Sequence, residues 1–280
     1  MKLIFIGGAQ RSGTTLMQTL LSNALNHTEV WPEANFLCDL FQFYTNGIKN
    51  WNKSEFYFGK RDYFKSYVKE LINNILKYRI PKDFKGNCII IKDPNFSKYI
   101  KQIYEIFPES SFFLCVRDPR DIICSFYDIE NREAQNGTLR NNYKNRNISF
   151  YCKKINESYK LALKYTKKIN VIKYEKLVDN PFYEINSISS KEMPFSLSST
   201  ENLIWSDKKM RHKNSWISPL EEKSPSKERV GVYKSILRGY EIFYCQKKCN
   251  NIFKSYGYKK VLFSARKKFF YSILSKILYK

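Results

Sequence analysis

The chain is short of histidine, of acidic residues and of long apolar runs, and each shortage removes a class of function. Among 280 residues there are two histidines, His27 and His212. The seven cysteines fall at Cys38, Cys88, Cys115, Cys124, Cys152, Cys245 and Cys249, several of them inside apolar runs. Cys245 and Cys249 are one helical turn apart, but no second pair and no nearby histidine completes a zinc set. Buried free thiols and no metal are expected. No window approaches the roughly 20 consecutive apolar residues of a membrane span. The first residues enter an apolar strand at once, without the charged start, apolar core and cleavage site of a signal peptide. A cytoplasmic location is the expectation, and triplets such as Asn52-Lys53-Ser54 are then chance in an Asn-rich chain.

Acid is scarce as well, with 26 Asp+Glu against 49 Lys+Arg, a formal net charge of +23. Charge of this size points to nucleic acid, an anionic membrane or acidic substrates. Its distribution narrows the choice. Ten Lys or Arg and no acidic residue follow Glu241, and the remaining excess is scattered through Asn-rich polar loops. With no recognised nucleic-acid motif, nucleic acid is not expected as a partner. A hydrophobic content of 43% and an aromatic content of 16% are those of a chain that folds. The length suits one α/β domain, assigned to residues 1–258, followed by a basic tail, 259–280. In that tail Phe270, Ile273, Leu274, Ile277 and Leu278 share a helical face, which suits either an anionic membrane or packing onto the domain itself.

What the sequence does have is concentrated at its start. Leu3 to Ile6 is a short apolar run of buried-strand type, ended by Gly7 and Gly8, and from Leu16 the apolar residues recur at helical spacing. Between them Gly8-x-x-x-x-Gly13-Thr14-Thr15 keeps the frame of the nucleotide-binding P-loop but has Thr14 where the lysine belongs. A glycine-rich loop entering a helix aims unpaired N–H groups and the positive end of the helix dipole at one spot, so it binds an anion. Without the lysine for the β- and γ-phosphates, and with no aspartate-ended strand for Mg²⁺, a P-loop kinase reading loses its chemistry. Arg11 supplies the cation instead, with Thr14 and Thr15 as hydroxyl donors.

Three more strands are expected. Cys88-Ile89-Ile90-Ile91 ends in Lys92-Asp93-Pro94; Ser111 to Val116 ends in Arg117-Asp118-Pro119-Arg120-Asp121; Asn170 to Lys173 ends in Tyr174-Glu175. A helix over Ser97 to Phe107 joins the first two, and strand–helix–strand means a parallel crossover. In a doubly wound sheet the carboxyl ends of the strands form the binding crevice, which puts Lys92 and Arg117 on the rim with Arg11. Lys92 is then either a cation for a transferring group or a surface lysine in a turn. Arg117 and Ser125, two helical turns apart, can converge on one phosphate. Helices are also expected over Phe64 to Tyr78, with Tyr67, Leu71, Ile72 and Ile75 on one face, and over Phe150 to Thr166. Asn131 to Ser149 reads as a polar loop over the cleft. Glu33, in Val30-Trp31-Pro32-Glu33-Ala34-Asn35-Phe36, is either a helix N-terminal carboxylate after Pro32 or a partly buried acid–base group beside Trp31 and Phe36.

Gln10-Arg11-Ser12-Gly13-Thr14-Thr15-Leu16-Met17 resembles the 5′-phosphosulfate loop of sulfotransferases that use 3′-phosphoadenosine 5′-phosphosulfate (PAPS), tyrosylprotein and related bacterial enzymes in particular. Arg117-Asp118-Pro119-Arg120-Asp121 with Ser125 resembles their 3′-phosphate segment, and Tyr174-Glu175-x-Leu177-Val178-x-x-Pro181 a further family stretch. The resemblance runs from about Lys2 to Pro181. It implies a P-loop NTPase-like three-layer α/β fold with a central parallel sheet flanked by helices, and transfer of a sulfuryl group from PAPS to the hydroxyl of a carbohydrate, lipid, small metabolite or protein tyrosine, without a metal. It also implies Glu33 as base, Lys92 and Arg11 as charge-stabilising cations, and Arg11, Ser12, Gly13, Thr14, Thr15, Arg117, Ser125 and Tyr174 as nucleotide contacts. A late serine and basic residues that close over the nucleotide correspond to Ser215 and to Lys223 or Lys227. The rivals are a P-loop kinase-like nucleotide-binding enzyme and a non-catalytic basic protein that binds a membrane or a polyanion.

Overall fold

The computed structural model describes residues 2–25, 31–80, 88–138, 146–165, 169–188 and 224–278. Strand β1 (Lys2–Gly8) runs into α1 (Thr14–Ala24). A helical lobe of α2 (Asn35–Lys49), α3 (Trp51–Phe58) and α4 (Arg61–Lys77) precedes β2 (Cys88–Lys92). A 3₁₀ turn at Pro94–Lys98 and α5 (Ile100–Ile106) lead to β3 (Ser111–Val116), then α6 (Pro119–Gln135) and α7 (Ile148–Tyr159). β4 (Asn170–Lys173) continues into α8 (Tyr174–Asp179) and α9 (Pro181–Ser187). After a 3₁₀ turn at Lys227–Arg229 come α10 (Tyr233–Ile236), α11 (Gly239–Lys248), α12 (Asn250–Ser255) and α13 (Ala265–Leu278).

The strands form one four-stranded sheet in the order β2-β1-β3-β4 with every pairing parallel, as the strand–helix–strand pattern requires. Strand side chains alternate between faces, and the core divides accordingly. Leu3 and Phe5 of β1, Ile89 and Ile91 of β2, and Phe112 and Leu114 of β3 face α2, α4, α5, α6 and α7. Ile4 and Ile6, Cys88 and Ile90, and Phe113 and Cys115 face α1, α8 and α9. Because β1 sends its chain to β2 on one side and pairs with β3 on the other, the strand order reverses at β1. That reversal opens the crevice above its carboxyl end.

The elements differ from expectation in detail, for physical reasons. β1 does not stop at its glycines: Gly7 and Gly8 pair with Leu114 and Cys115 of β3. A Cβ on Gly7 would sit 2.8 Å from both the Phe112 ring and the Ser97 backbone nitrogen, so glycine serves close packing there and not chain reversal. The helix expected over Ser97 to Phe107 divides in two. Asp93 accepts a hydrogen bond from Asn95 N at 2.8 Å and starts a 3₁₀ turn, and α5 begins afresh after Tyr99. α4 buries Phe64, Val68, Ile72 and Leu76, a face one residue round from the expected one, leaving Tyr67 exposed. α6 continues through Gln135 into the stretch expected as loop, because Ile129, Glu130 and Glu133 are buried, with Glu130 bonded to the Tyr151 hydroxyl. α7 ends at Tyr159, short of Thr166, and a 3₁₀ turn at Ala162–Lys164 follows.

The C-terminal segment is tied to the domain. Arg120 donates to the Lys259 carbonyl at 2.8 Å, and Gln246 exchanges two hydrogen bonds with the Val261 backbone, at 3.1 and 2.7 Å. Tyr271 of α13 lies against Gly239, where a Cβ would come within 2.4 Å of its hydroxyl, and against the rings of Phe243 and Phe263. Phe269, Phe270, Ile273, Ile277 and Leu278 remain exposed. Among the described residues no helix is long and apolar enough to cross a membrane.

Candidate active site

The loop from Gly8 to Thr14 is held in one shape by its glycines. A Cβ on Gly8 would come within 2.4 Å of the Cys115 carbonyl oxygen, and one on Gly13 within 2.6 Å of the Tyr174 ring, at a left-handed φ of 94°. Between them Arg11 also takes a left-handed φ, 70°, which a side chain adopts only when its surroundings enforce it. Ser12 N closes the turn onto the Ala9 carbonyl at 3.1 Å. No side chain caps α1 at Gly13, so the N–H groups of its first turn face the loop's concave side, where an anion is favoured.

Around this loop the fold gathers arginines. Arg11 Nε donates to Ser125 Oγ at 3.0 Å, linking the loop to α6. Arg117, at the end of β3, is buried; one terminal nitrogen donates to the Arg11 carbonyl at 3.0 Å and the other to the Arg229 carbonyl. Its guanidinium lies over the Tyr174 ring, 4.2 Å from the centroid. Arg229 forms an ion pair with Asp128 of α6, and Asp121 accepts from Gly231 N at 2.7 Å and Tyr233 N at 3.0 Å, which holds this late segment beside the loop. Burial, and then the charges of Arg117 and Arg132, lower the pKa of Arg11 to about 10. So much positive charge in partly desolvated surroundings suits a ligand with several negative charges.

On the other side of β1 lies the second constellation. Lys92, the last residue of β2, is 1% exposed, and its Nζ is 3.0 Å from Glu33 Oε1. A buried ammonium is costly unless paired, and Glu33 supplies the pairing. The connector bearing Glu33 is pinned at two points: Ala34 N donates to the Lys92 carbonyl at 3.0 Å, and Gln18 Nε2 to the Trp31 carbonyl at 2.9 Å. Glu33 itself is not enclosed by Trp31 and Phe36. Its side chain is 45% exposed and Phe36 is exposed too, so the carboxylate has a cation on one side and solvent on the other. Asp93 N, next to Lys92, donates to the Ile6 carbonyl of β1 at 3.1 Å, so both constellations stand at the carboxyl end of β1.

The structure thus brings Arg11, Ser12, Gly13, Thr14, Thr15, Glu33, Lys92, Arg117, Ser125 and Tyr174 to the carboxyl ends of β1, β2 and β3. Ser215 and Lys223, and with them most of the late basic region, lie outside the described residues. Lys227 is exposed and paired with Asp179 of α8. Arg229 was missed by sequence reasoning, as was Arg132 as a neighbour of Arg11. The one local signal for Arg229 was Gly231 two residues later, whose left-handed φ of 76° turns the chain so that two backbone N–H groups meet Asp121.

Residues 4–191 match the model of the Sulfotransferase family. The chain belongs to that family. It is 26% identical over 200 residues to a Caenorhabditis briggsae protein named "Putative protein-tyrosine sulfotransferase"; the alignment covers 68% of this chain and 64% of the worm protein. Among solved structures, the sulfotransferase domain from the curacin biosynthetic pathway superposes with a TM-score of 0.56 at 17% identity, covering 93% of this chain and 99% of that one. For this sulfotransferase-family chain the fold is therefore the three-layer, P-loop-like one, and the matched residues span the loop, Glu33, Lys92, Arg117, Ser125 and Tyr174. Outside the cleft, the fold does what spacing did not foretell: it brings Cys152 to Cys245 and Cys249.

Proposed function

We propose that this chain moves a sulfuryl group from PAPS to the hydroxyl of an acceptor, and that the observation carrying this reading is the pairing of Glu33 with Lys92 at the rim of the Arg11 loop. The loop N–H groups, Arg11, Thr14 and Thr15 hold the 5′-phosphosulfate. Arg117 and Ser125 hold the 3′-phosphate end, with Arg229 beside them, and Tyr174 lines the nucleotide site. The acceptor hydroxyl enters from the solvent side of Glu33, whose carboxylate takes its proton as the oxygen attacks sulfur. The bond from sulfur to the phosphate oxygen breaks in line, leaving a sulfate ester and 3′-phosphoadenosine 5′-phosphate (PAP). Lys92 and Arg11 offset the charge that develops on the departing oxygen and on the sulfuryl oxygens.

The acceptor is a hydroxyl compound that meets the cleft at the exposed side of Glu33. α13 supplies a surface for an anionic membrane, with exposed Phe269, Phe270, Ile273 and Ile277 on the same helix as Arg266, Lys267, Lys268 and Lys276. The test of the function is a calorimetric titration with PAPS, PAP, ATP and GTP, followed by transfer of labelled sulfate to a panel of hydroxyl acceptors. Preference for the two 3′-phosphorylated nucleotides, with labelled ester formed, is expected. Tighter binding of ATP or GTP would reject the reading.

A further inference from the structure

Cys152 of α7, Cys245 of α11 and Cys249, which ends α11, take no part in the proposed transfer, yet they meet. The three are buried, and their sulfurs all lie within 4.8 Å of one another. The arrangement follows from the helices. Cys249 N donates to the Cys245 carbonyl at 2.8 Å, so the turn is closed and both thiols emerge on one face, where α7 delivers Cys152. Asn156 Nδ2 lies 3.8 Å from the Cys249 sulfur.

We propose that Cys152, Cys245 and Cys249 form a three-coordinate site for a single thiophilic closed-shell cation, copper(I) in particular. Sulfurs bound to one metal at about 2.3 Å stand about 4 Å apart in a trigonal plane, so the observed spacing needs only a small closure. Among the described residues no imidazole or carboxylate joins the three sulfurs. Zinc prefers four ligands in a closed protein site, whereas soft thiolate sets without a fourth donor select copper(I). Binding transfers no electron: the cation forms bonds to three sulfurs, and each thiol that becomes a thiolate ligand releases its proton to solvent. Asn156 Nδ2 donates to the Cys152 and Lys248 carbonyls, at 2.9 and 3.0 Å, and so ties α7 to the end of α11 beside the three sulfurs.

The experiment uses the full chain, reduced and metal-free, titrated with copper(I) against a chromogenic copper(I) chelator and with zinc(II) against a zinc dye. One copper(I) per chain is expected, with a raised melting midpoint and sulfur as the only near scatterer in X-ray absorption. Cys249→Ala and Cys152→Ala should each weaken copper(I) at least about 100-fold, while Cys38→Ala, at a buried thiol elsewhere, should not. The wild-type measurements stand even if a variant fails to fold. No stoichiometric copper(I), nitrogen or oxygen scatterers in place of sulfur, or tighter zinc(II) in a tetrahedral site would each overturn the proposal.

Discussion

Replacing Glu33 by glutamine isolates the proton transfer from everything else the residue does. The glutamine amide oxygen can still accept from Lys92 Nζ, which lies 3.0 Å from the present carboxylate, so the connector stays pinned by that bond and by Ala34 N to the Lys92 carbonyl. What is lost is the negative charge. Glu33 is 45% exposed, so solvent screens much of the pair, and the cost in stability should be about 1 kcal/mol, well below the roughly 3–5 kcal/mol of a fully buried pair broken on one side. PAPS affinity should change by no more than a few-fold, because the loop and Arg117 are untouched. Transfer should fall by about 10²- to 10⁴-fold, the usual contribution of a positioned base. The assay pairs a PAPS titration with single-turnover transfer to a working acceptor, so that binding and chemistry are read separately. Near-normal single-turnover transfer would refute the assignment, and a parallel collapse of PAPS affinity would show Glu33 to be structural.

Four further outcomes are expected. Arg117→Ala should weaken PAPS far more than an adenosine phosphosulfate without the 3′-phosphate; equal losses on the two ligands would place Arg117 elsewhere, for instance in holding the Arg11 and Arg229 carbonyls only. Gly13→Ala adds a Cβ 2.6 Å from the Tyr174 ring at a φ of 94°, so a stability loss above about 1 kcal/mol and weaker PAPS binding should appear together in denaturant melts and titrations. Burial holds the carboxyl of Glu175 above its ordinary pKa. Its contribution to stability is therefore fully present below that ordinary value and lost as pH rises through the raised one, so Glu175→Gln should flatten that part of a urea midpoint-against-pH curve. Truncation after Ser264 should spare PAPS binding and reduce sedimentation with anionic vesicles, whereas truncation before Lys259 removes a carbonyl partner of buried Arg120 and should lower the melting midpoint as well.

The cleft was legible in the sequence to the extent that it is local. Gly8, Arg11 and Gly13 declare a loop because their backbone demands are written into seven residues, and Lys92 and Arg117 stand out as charges that end apolar runs. The parallel direction of β2 and β3 followed from the helix between them; the order of the strands in the sheet did not. Long-range reciprocity was not legible. Arg229 enters through its carbonyl, which any residue could offer, bonded to a partner 112 positions away. The surroundings of Glu33 depend on which face α2 turns to the core: Leu37, Cys38 and Phe41 are buried, and Phe36 points outward. Cys152 meets Cys245 and Cys249 only through the packing of α7 on α11, and two helical faces carry no record of each other. The same holds for α6, whose extra turns persist because Glu130 finds Tyr151.

The attachment of the α2–α4 lobe has a practical meaning for engineering. This cassette leaves the sheet between residues 31 and 88. It docks through the buried faces of α2 and α4, with the Phe41 ring against Phe5 and Phe96 at centroid distances of 6.3 and 6.1 Å, and its entry carries Glu33. The position of that carboxylate is held by the bond from Ala34 N to the Lys92 carbonyl, by the Gln18 side chain on the Trp31 carbonyl and by the Lys92 ammonium, none of them in α3 or α4. A lobe grafted from a relative would inherit the alignment of the carboxylate from the recipient's own β2 and α1, provided it brought an aromatic ring to the place of Phe41. The lobe could then be exchanged as one piece while the nucleotide loop stayed as it is.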